Sequence, residues 1–405
     1  MDVFVARQPI FRKNKKVMGY ELLFREGMSN YFPNIDGNLA TSKVLTNTFF
    51  SIGIDPVAGA GKAFVNFTQD LLLHRIPLMF PRERIAVEIL EDVKPEKELI
   101  AACREIRQKG YQIALDDYLY RPELEPLVDL ATMIKFDVRA TPLDELAEPL
   151  QRLSGRDIAL LAEKVETHAE FVQAREMGFD FFQGYFFSKP EVLSGKDISS
   201  SKMNLLQIMA EANKEDFDFQ EIEKIAERDV AISYKLMRYI NSAYFKRVSE
   251  ISSINQAVVM LGEKGIRRFL ALIAMSGLAA DKPDELVRTS IIRAKFCELV
   301  GEMEGVKKGP SELFTLGLFS LIDAILDDSM ENLMAKLPLS EAIKRALMDT
   351  EGELRDYLNL VHCYETGDWK GVSELAPKLG LNAEALPPHY QEALGWADSL
   401  AASTS

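Results

Sequence analysis

Short apolar runs alternate with amphipathic stretches between residues 63 and 187. Each run predicts a buried strand. The runs are 63–65, 85–87, 113–115, 133–134, 158–161 and 181–182. The stretches between them carry helix signals, such as the capping box of Thr167 and Glu170 before a helix that ends near Gly178. This alternation predicts parallel strands joined by helical crossovers, and the number of units favours a closed (β/α)8 barrel of the TIM type.

The first strands are predicted to enter the sheet differently from the rest. Apolar runs 3–6 and 18–23 flank the basic turn 12–16, and two such runs joined by a short polar turn are typical of a β-hairpin. The paired strands of a hairpin are antiparallel. The pattern therefore predicts a modified barrel with an antiparallel entry into its sheet.

The pattern changes again after residue 195. Period-two runs disappear, and helical periodicity continues to the end of the sequence, with one helix predicted to end at Gly262 and another to begin at Ser311. We therefore predict two domains, an α/β barrel at residues 1–195 and an all-helical domain at residues 196–400.

Composition and charge narrow the classes of function. The formal net charge of −14 argues against a broad DNA-binding surface, because most of the protein surface would repel the phosphate backbone. No apolar run approaches the length of a membrane span, and the first residues lack signal-peptide features, so we expect a cytoplasmic protein. The three cysteines, Cys103, Cys297 and Cys363, are widely spaced and are expected to be buried apolar residues.

A side chain capable of acid–base or metal chemistry follows each predicted barrel strand. These residues are Asn66, Glu88, Asp116, Asp117, Lys135, Asp137, Glu163 and Gln183, and Glu21 joins them from the hairpin. Because the strand carboxyl ends of such a barrel open on one face, these side chains should converge. An oxygen-rich cluster suits Mg²⁺ or Mn²⁺ in a two-metal site that activates water at a phosphodiester. The alternative for any one of them is that it caps the following helix.

Several motifs carry these residues. They are Arg7-Gln8-Pro9-Ile10, Gly19-Tyr20-Glu21-Leu22-Leu23-Phe24-Arg25, Glu88-Ile89-Leu90-Glu91, Leu115-Asp116-Asp117, Ile134-Lys135-Phe136-Asp137, Ala162-Glu163-Lys164-Val165-Glu166-Thr167 and Gln183-Gly184-Tyr185. Their order resembles that of EAL-domain phosphodiesterases, which linearise cyclic di-GMP to pGpG. The resemblance covers the predicted barrel domain and implies a TIM-like EAL barrel that binds cyclic di-GMP.

The resemblance also implies roles for individual residues. Glu21, Asn66, Glu88 and Asp116 would hold one metal ion, and Asp117 and Asp137 would serve the second. Lys135 and Glu163 would act at the attacking water, and Gln183 would help to coordinate that water or the substrate. Arg25 would contact a phosphate or a guanine, and Glu91 would support the loop that follows Asp116 and Asp117.

The chain departs from the EAL pattern near the predicted second metal. Active members usually continue the paired aspartates with a glycine-containing loop, whereas residues 118–124 contain no glycine and cannot adopt the same backbone. Lys164 replaces a glycine beside Glu163, and Thr132 replaces an aspartate three residues before Lys135. Two hypotheses stay open: the barrel is a slow or conditional phosphodiesterase, or it is a catalytically inactive platform.

The helical part has its own resemblance. Segments 228–243, 251–262 and 265–268 together resemble HDOD domains, which share the helical fold of HD hydrolases without their metal site. None of the four histidines precedes an aspartate, and Gly317-Leu318-Phe319-Ser320-Leu321 stands where an HD hydrolase would show its His-Asp pair. The resemblance implies a regulatory module that binds a protein partner. Under the inactive-platform hypothesis, the chain is a scaffold or homodimer that recruits a signalling protein such as a histidine kinase.

Overall fold

The computed structural model describes residues 3–26, 58–59, 61–188, 254–279, 282–303, 306, 309–337, 339–348 and 352–404. The chain divides into two units, one formed by Met1–Lys189 with His362–Ser373 and the other by Pro190–Val361 with Glu374–Ser405. The described strands all belong to the first unit, and the described part of the second unit is helical. The predicted order of an α/β barrel followed by an all-helical region is confirmed.

Eight strands among the described residues form a closed barrel in chain order. Their bounds are β1 (Val3–Arg12), β2 (Val17–Glu26), β3 (Lys62–Phe67), β4 (Ile85–Ile89), β5 (Gln112–Leu115), β6 (Met133–Asp137), β7 (Ala159–Glu163) and β8 (Phe181–Gln183). β1 pairs antiparallel with both β2 and β8, and the other neighbouring strands are parallel. The predicted hairpin and antiparallel entry are therefore confirmed.

The barrel interior is built in two layers by residues two positions apart on each strand. Side chains at positions i and i+2 share one face of a strand. The first layer is apolar and consists of Ile10, Phe64, Ala86, Ala114, Met133 and Leu161. The residues two positions later, on β3, β4, β6 and β7 or directly after β5, are Asn66, Glu88, Asp116, Lys135 and Glu163. An apolar floor thus supports a polar layer at the carboxyl ends of the parallel strands.

Helices follow the parallel strands, as the alternating pattern predicts. They are α1 (Gln69–Leu73), α2 (Lys97–Gln108), α3 (Glu125–Val128), α4 (Ala147–Leu153) and α5 (His168–Glu176). The predicted capping box opens α5: Thr167 Oγ1 accepts the N–H of Glu170 at 3.2 Å, and the Glu170 carboxylate accepts the N–H of Thr167 at 3.1 Å. These bonds fix the loop between β7 and α5.

The C-terminal part of the chain contains a further set of described helices. They are α6 (Ile254–Leu278), α7 (Asp284–Gly301), α8 (Pro310–Phe319), α9 (Ile322–Leu326), α10 (Met330–Lys336), α11 (Glu341–Met348), α12 (Glu353–Thr366), α13 (Trp369–Lys378) and α14 (Leu386–Thr404). α6 is interrupted at Gly262, where φ is 62°, so the predicted helix end is confirmed. The prediction that Ser311 begins a helix was wrong: Pro310 opens α8 after the N-cap Gly309, because the fixed φ of proline suits the first turn.

The predictions on membranes and cysteines have separate outcomes. Within the described ranges, no helix is both long and apolar enough to cross a membrane. Cys103 and Cys297 are fully buried, as predicted, and burial raises the pKa of the Cys103 thiol to about 12. The prediction was wrong for Cys363, which is half-buried, and its Sγ lies 3.6 Å from Asp368 Oδ2.

Candidate active site

Lys135 lies at the centre of the polar layer and contacts four carboxylates. Its Nζ is 3.2 Å from Glu21, 2.9 Å from Glu88, 2.7 Å from Asp116 and 2.8 Å from Glu163. The Lys135 side chain is completely buried, so water screens these charges little. We call these five residues the Lys135 cluster, and they meet as the convergence of strand ends predicts.

Amide side chains extend the cluster on the side of the hairpin. Gln183 Nε2 donates to Glu21 Oε2 at 2.7 Å and to Gln8 Oε1 at 2.8 Å. Asn66 Nδ2 donates to Glu21 Oε1 over a longer distance of 3.4 Å. Gln8 is the register partner of Glu21 across β1 and β2, which brings both side chains to the same point.

The Lys135 cluster contains four carboxyl groups but only one ammonium group, and burial affects which of the carboxyl groups are ionised. Burial raises the pKa of Glu88 well above its ordinary value and that of Glu163 to about 8, and attraction to Lys135 offsets only part of each rise. Burial raises the pKa of Asp116 in the same way. Burial also opposes ionisation of Glu21, but Lys135 and the amide hydrogen bonds outweigh it and lower its pKa. Part of the cluster therefore keeps its protons at neutral pH in the metal-free protein.

Several oxygens of the polar layer are buried without accepting a hydrogen bond. They are Asn66 Oδ1, both carboxylate oxygens of Glu88, Asp117 Oδ1 and Gln183 Oε1. The Glu88 carboxylate lies within ion-pair distance of Lys135 but lacks hydrogen-bond geometry. An unpaired buried acceptor is costly, and carboxylate and amide oxygens are the ligands that Mg²⁺ and Mn²⁺ prefer. The donor set therefore fits a hard divalent cation.

The carboxylates of the cluster converge on the Lys135 ammonium in this conformation. In the part of the chain that the structure describes, no three carboxylate, imidazole or thiolate groups are grouped so that they could hold a metal ion. The Lys135 ammonium lies between the carboxylates of the cluster and neutralises part of their charge. A divalent ion at this site would therefore compete with the Lys135 ammonium for the carboxylates.

Asp117 and Asp137, the predicted ligands of the second ion, share a neighbour in Lys164. Lys164 Nζ donates to Asp137 Oδ2, and Asp137 Oδ1 accepts the N–H groups of Arg139 and Ala140 at 2.7 and 3.1 Å. The charge of Asp117 also acts on the Lys164 ammonium. The structure thus groups two predicted ligands with a lysine to which the sequence assigned no role.

The segment after Asp117 is held by contacts that a glycine-rich loop would not supply. Asp117 has a φ of 40°, and the Tyr118 ring that follows packs edge-on against Phe136, with 5.7 Å between the ring centroids. Arg121 then donates to the backbone carbonyl of Glu91 at 2.9 Å, while the Glu91 side chain is exposed. The contact between Glu91 and this loop therefore uses the Glu91 backbone.

Comparisons with known proteins identify the family to which this arrangement belongs. The family models described as EAL domain and HDOD domain match residues 44–190 and 199–355. Cyclic di-GMP phosphodiesterase CdgJ of Vibrio cholerae is 39% identical over 98% of this chain and 93% of its own length. The uncharacterized protein YuxH of Bacillus subtilis is 36% identical over 99% of each chain. The chain belongs to the EAL-HDOD family.

A solved structure that contains an EAL domain is also among the similar proteins. The Bacillus subtilis YkuI protein, solved in complex with cyclic di-GMP and calcium, is 20% identical, with 65% of this chain and 73% of that chain covered and a TM-score of 0.40. The family matches confirm the prediction of an EAL barrel followed by an HDOD domain. The division at residue 195 stays a prediction.

In the HDOD domain, Ser320 contacts Arg293 at the position where an HD hydrolase would show its His-Asp pair. Ser320 Oγ donates to the carbonyl of Gly317 at 2.7 Å and accepts from Arg293 Nη1 at 3.2 Å. Arg293 is only 6% exposed. Because a guanidinium is always positively charged and has no acceptor, the side chains at this point do not suit a metal ion.

Two residues without an assigned role take part in the EAL site. Gln8 is detectable in principle from the hairpin register, since it lies opposite Glu21. Lys164 is marked in the sequence as a replacement for glycine directly after Glu163, but its partner lies on another strand. Arg25 belongs to β2, and its side chain is outside the described residues.

The Glu163→Gln variant should lose a pH dependence of stability. Burial raises the folded-state pKa of Glu163 from its ordinary value of 4.5 to about 8. Since the folded-state pKa is the higher one, the stabilisation is complete below the unfolded-state pKa and is lost as pH rises through about 8. The unfolding free energy of metal-free E163Q should therefore increase relative to wild type between about pH 5 and pH 8, by at most about 1.4 kcal/mol per pH unit.

Urea unfolding at several pH values in the presence of a chelator measures this difference. The matched control is Glu170→Gln, because the pKa of Glu170 is lowered instead and Glu170 lies outside the Lys135 cluster. Glu170 is therefore ionised in both the folded and the unfolded protein from about pH 6 to 8, and the difference between E170Q and wild type should be constant there. Parallel stability curves for E163Q and wild type would rule out the raised pKa of Glu163.

Proposed function

We propose that this chain is a cytoplasmic protein whose EAL barrel binds cyclic di-GMP and hydrolyses it to linear pGpG with Mg²⁺ or Mn²⁺. The observation that carries the proposal is the meeting of Lys135 with four buried carboxylates at the carboxyl ends of the barrel strands. The choice of substrate is supported by CdgJ, which is 39% identical to this chain and is named a cyclic di-GMP phosphodiesterase.

Two sets of oxygen ligands are available for metal ions. Glu21, Asn66, Glu88 and Asp116 would hold one ion, and Asp117 and Asp137 would contribute to a second. The buried Asn66 Oδ1, which accepts no hydrogen bond, and the buried Glu88 carboxylate beside Lys135 support the first assignment. A bound divalent ion would lower the pKa of a water ligand and neutralise charge that develops on the phosphate.

Lys135 and Glu163 would act where water attacks the phosphodiester. In hydrolysis, the water oxygen bonds to phosphorus while one P–O bond to a ribose breaks, and the released ribose oxygen takes a proton. Lys135 brings a buried positive charge that stabilises developing negative charge on the phosphate. Glu163 lies 2.8 Å from Lys135, and its carboxylate, once ionised, would accept a proton from the attacking water.

Gln183 and Arg25 would position the substrate. Gln183 is 4% exposed, its amide donates to Glu21, and its Oε1 is a buried acceptor without a partner. That oxygen is suited to accept a hydrogen bond from a bound water or from the nucleotide. Arg25 follows Glu21 on the same strand, and a guanidinium is suited to bidentate contact with phosphate or guanine.

Calorimetric titration with cyclic di-GMP in Ca²⁺, followed by chromatographic detection of pGpG in Mg²⁺ or Mn²⁺, tests the proposal. We expect binding and product formation. Asp116→Ala should lower the rate of hydrolysis at least about 100-fold, because it removes a proposed metal ligand and a contact of Lys135.

The matched control is Asp129→Ala, the same substitution at an exposed residue of the barrel domain that pairs with Arg156. Its rate of hydrolysis should equal that of wild type. No binding at saturating nucleotide and metal would refute the proposal. Binding without product would leave a cyclic di-GMP receptor.

A scaffold without hydrolysis is the second candidate function. It is favoured by the altered loop, where Leu119 is 60% exposed and Tyr120 is 37% exposed. Exposed apolar and aromatic side chains of this kind are common in protein contacts. In this function the barrel would be a platform, for example a homodimer, and the HDOD domain would recruit a protein partner such as a histidine kinase. Partner binding that survives Asp116→Ala would favour it.

A further inference from the structure

Lys164 forms an ion pair with the carboxylate of Asp137. Its Nζ donates to Asp137 Oδ2, and Asp137 Oδ1 accepts backbone N–H groups from Arg139 and Ala140 at 2.7 and 3.1 Å. The Asp137 side chain is only 10% exposed. Both oxygens of a proposed metal ligand are therefore engaged by groups of the protein itself.

The backbone holds Lys164 in a conformation that favours glycine. Its φ is 56°, in the left-handed region that residues with a Cβ rarely adopt. Arg139 Nε donates to the Lys164 carbonyl at 3.4 Å, and the next residue, Val165, donates its N–H to the Gln183 carbonyl at 2.9 Å. The starting point of the lysine side chain is thus fixed by β8 and by the loop after β6.

The Lys164 ammonium faces more than one acidic group. Burial opposes its protonation, but the hydrogen bond to Asp137 and the charges of Asp117 and Glu163 outweigh burial and raise its pKa. Asp117 Oδ1 is itself buried without a hydrogen-bond partner. The Lys164 ammonium therefore interacts with the same two aspartates that would bind the second metal ion.

We propose that the Lys164 ammonium takes the role of the second divalent ion, so that this chain binds one ion tightly and a second only by displacing Lys164 from Asp137. The inference rests on the proposed function, because it assumes that the first ion binds at the Lys135 cluster. A unit positive charge beside a divalent ion repels it strongly in a partly buried site. The Lys164 side chain is 55% exposed, so it has room to leave, and the second ion binds weakly rather than not at all.

Mn²⁺ titration of the purified full-length protein, with free Mn²⁺ followed by electron paramagnetic resonance, tests the inference. Wild type should bind one Mn²⁺ tightly. Lys164→Gly should bind two, with the second ion at least about tenfold tighter than in wild type. Glycine is suited to the backbone conformation at this position, so the variant should keep its fold, and circular dichroism checks that it does.

Two further variants separate charge from size. Lys164→Asn removes the charge but tolerates the left-handed backbone, and it should behave like K164G. Lys164→Arg keeps the charge, and it should behave like wild type. The double variant Asp137→Ala with Lys164→Gly should bind one ion again, because the freed carboxylate is gone.

The outcomes distinguish this inference from the proposed function. Two ions of equal affinity in wild type and in K164G would overturn the role of Lys164 and leave the phosphodiesterase proposal intact. Two ions in the D137A/K164G double variant would also overturn it, because the second ion would then not need Asp137. No tight Mn²⁺ in any variant would overturn both proposals.

Discussion

Replacing Lys135 by methionine is expected to lower the unfolding free energy of the metal-free protein by about 3–5 kcal/mol. The Lys135 ammonium is completely buried among four carboxylates. Methionine has a similar length but no charge, so the carboxylates lose their shared counter-charge in a site that water hardly reaches. Urea unfolding in the presence of a chelator, followed by far-UV circular dichroism, measures the loss.

Lys164→Met is the matched control, because it makes the same substitution at a lysine that is 55% exposed and pairs with Asp137. It should cost at most about 1 kcal/mol. Mn²⁺ should restore part of the stability of K135M, since an ion that binds only the folded protein stabilises it. Equal losses in K135M and K164M would contradict the central role of Lys135.

The barrel and its polar face were predictable because they follow from local patterns. Ala114 and Asp116, for example, are two positions apart, so the apolar floor and the polar layer above it are both visible in one short segment. The position of Lys135 among four carboxylates is not local. Its contact with Glu21 joins residues 114 positions apart, and such a distance depends on how the barrel closes.

Contacts between neighbouring strand ends could not be predicted for the same reason. The replacement of glycine by Lys164 was visible in the sequence, but its partner Asp137 belongs to the preceding strand. Thr132 is a second replacement whose contacts could not be predicted from the sequence. It replaces an aspartate of the EAL pattern, and its Oγ1 accepts the Ile113 N–H at 3.1 Å and donates to the Ile113 carbonyl at 2.9 Å. The Thr132 side chain therefore supports the pairing of strands and does not take part in the site.

The Gly184→Ala substitution is expected to lower the unfolding free energy by about 3 kcal/mol or more. Gly184 has a φ of 137°, and an added Cβ would overlap the carbonyl oxygen of Val165 and lie 2.5 Å from its nitrogen. Backbone atoms cannot rotate away from such a contact. The hydrogen bond from the Val165 N–H to the Gln183 carbonyl would have to give way. Gln183 would then shift relative to Glu21, so the rate of hydrolysis should fall together with stability.

Gly178→Ala is the matched control, because it strains the backbone without bringing the added Cβ too close to another atom. Gly178 has a φ of 101°, and an added Cβ would have no heavy atom within 4 Å, so this variant should cost about 1–2 kcal/mol through its backbone alone. Urea unfolding of both variants gives the difference. A larger loss in G184A would mean that close packing at the end of β8 fixes the end of β7 and the residue after it, where Glu163 and Lys164 lie. Equal losses would mean that this segment relaxes freely, and the positions of Glu163 and Lys164 would then depend on other contacts.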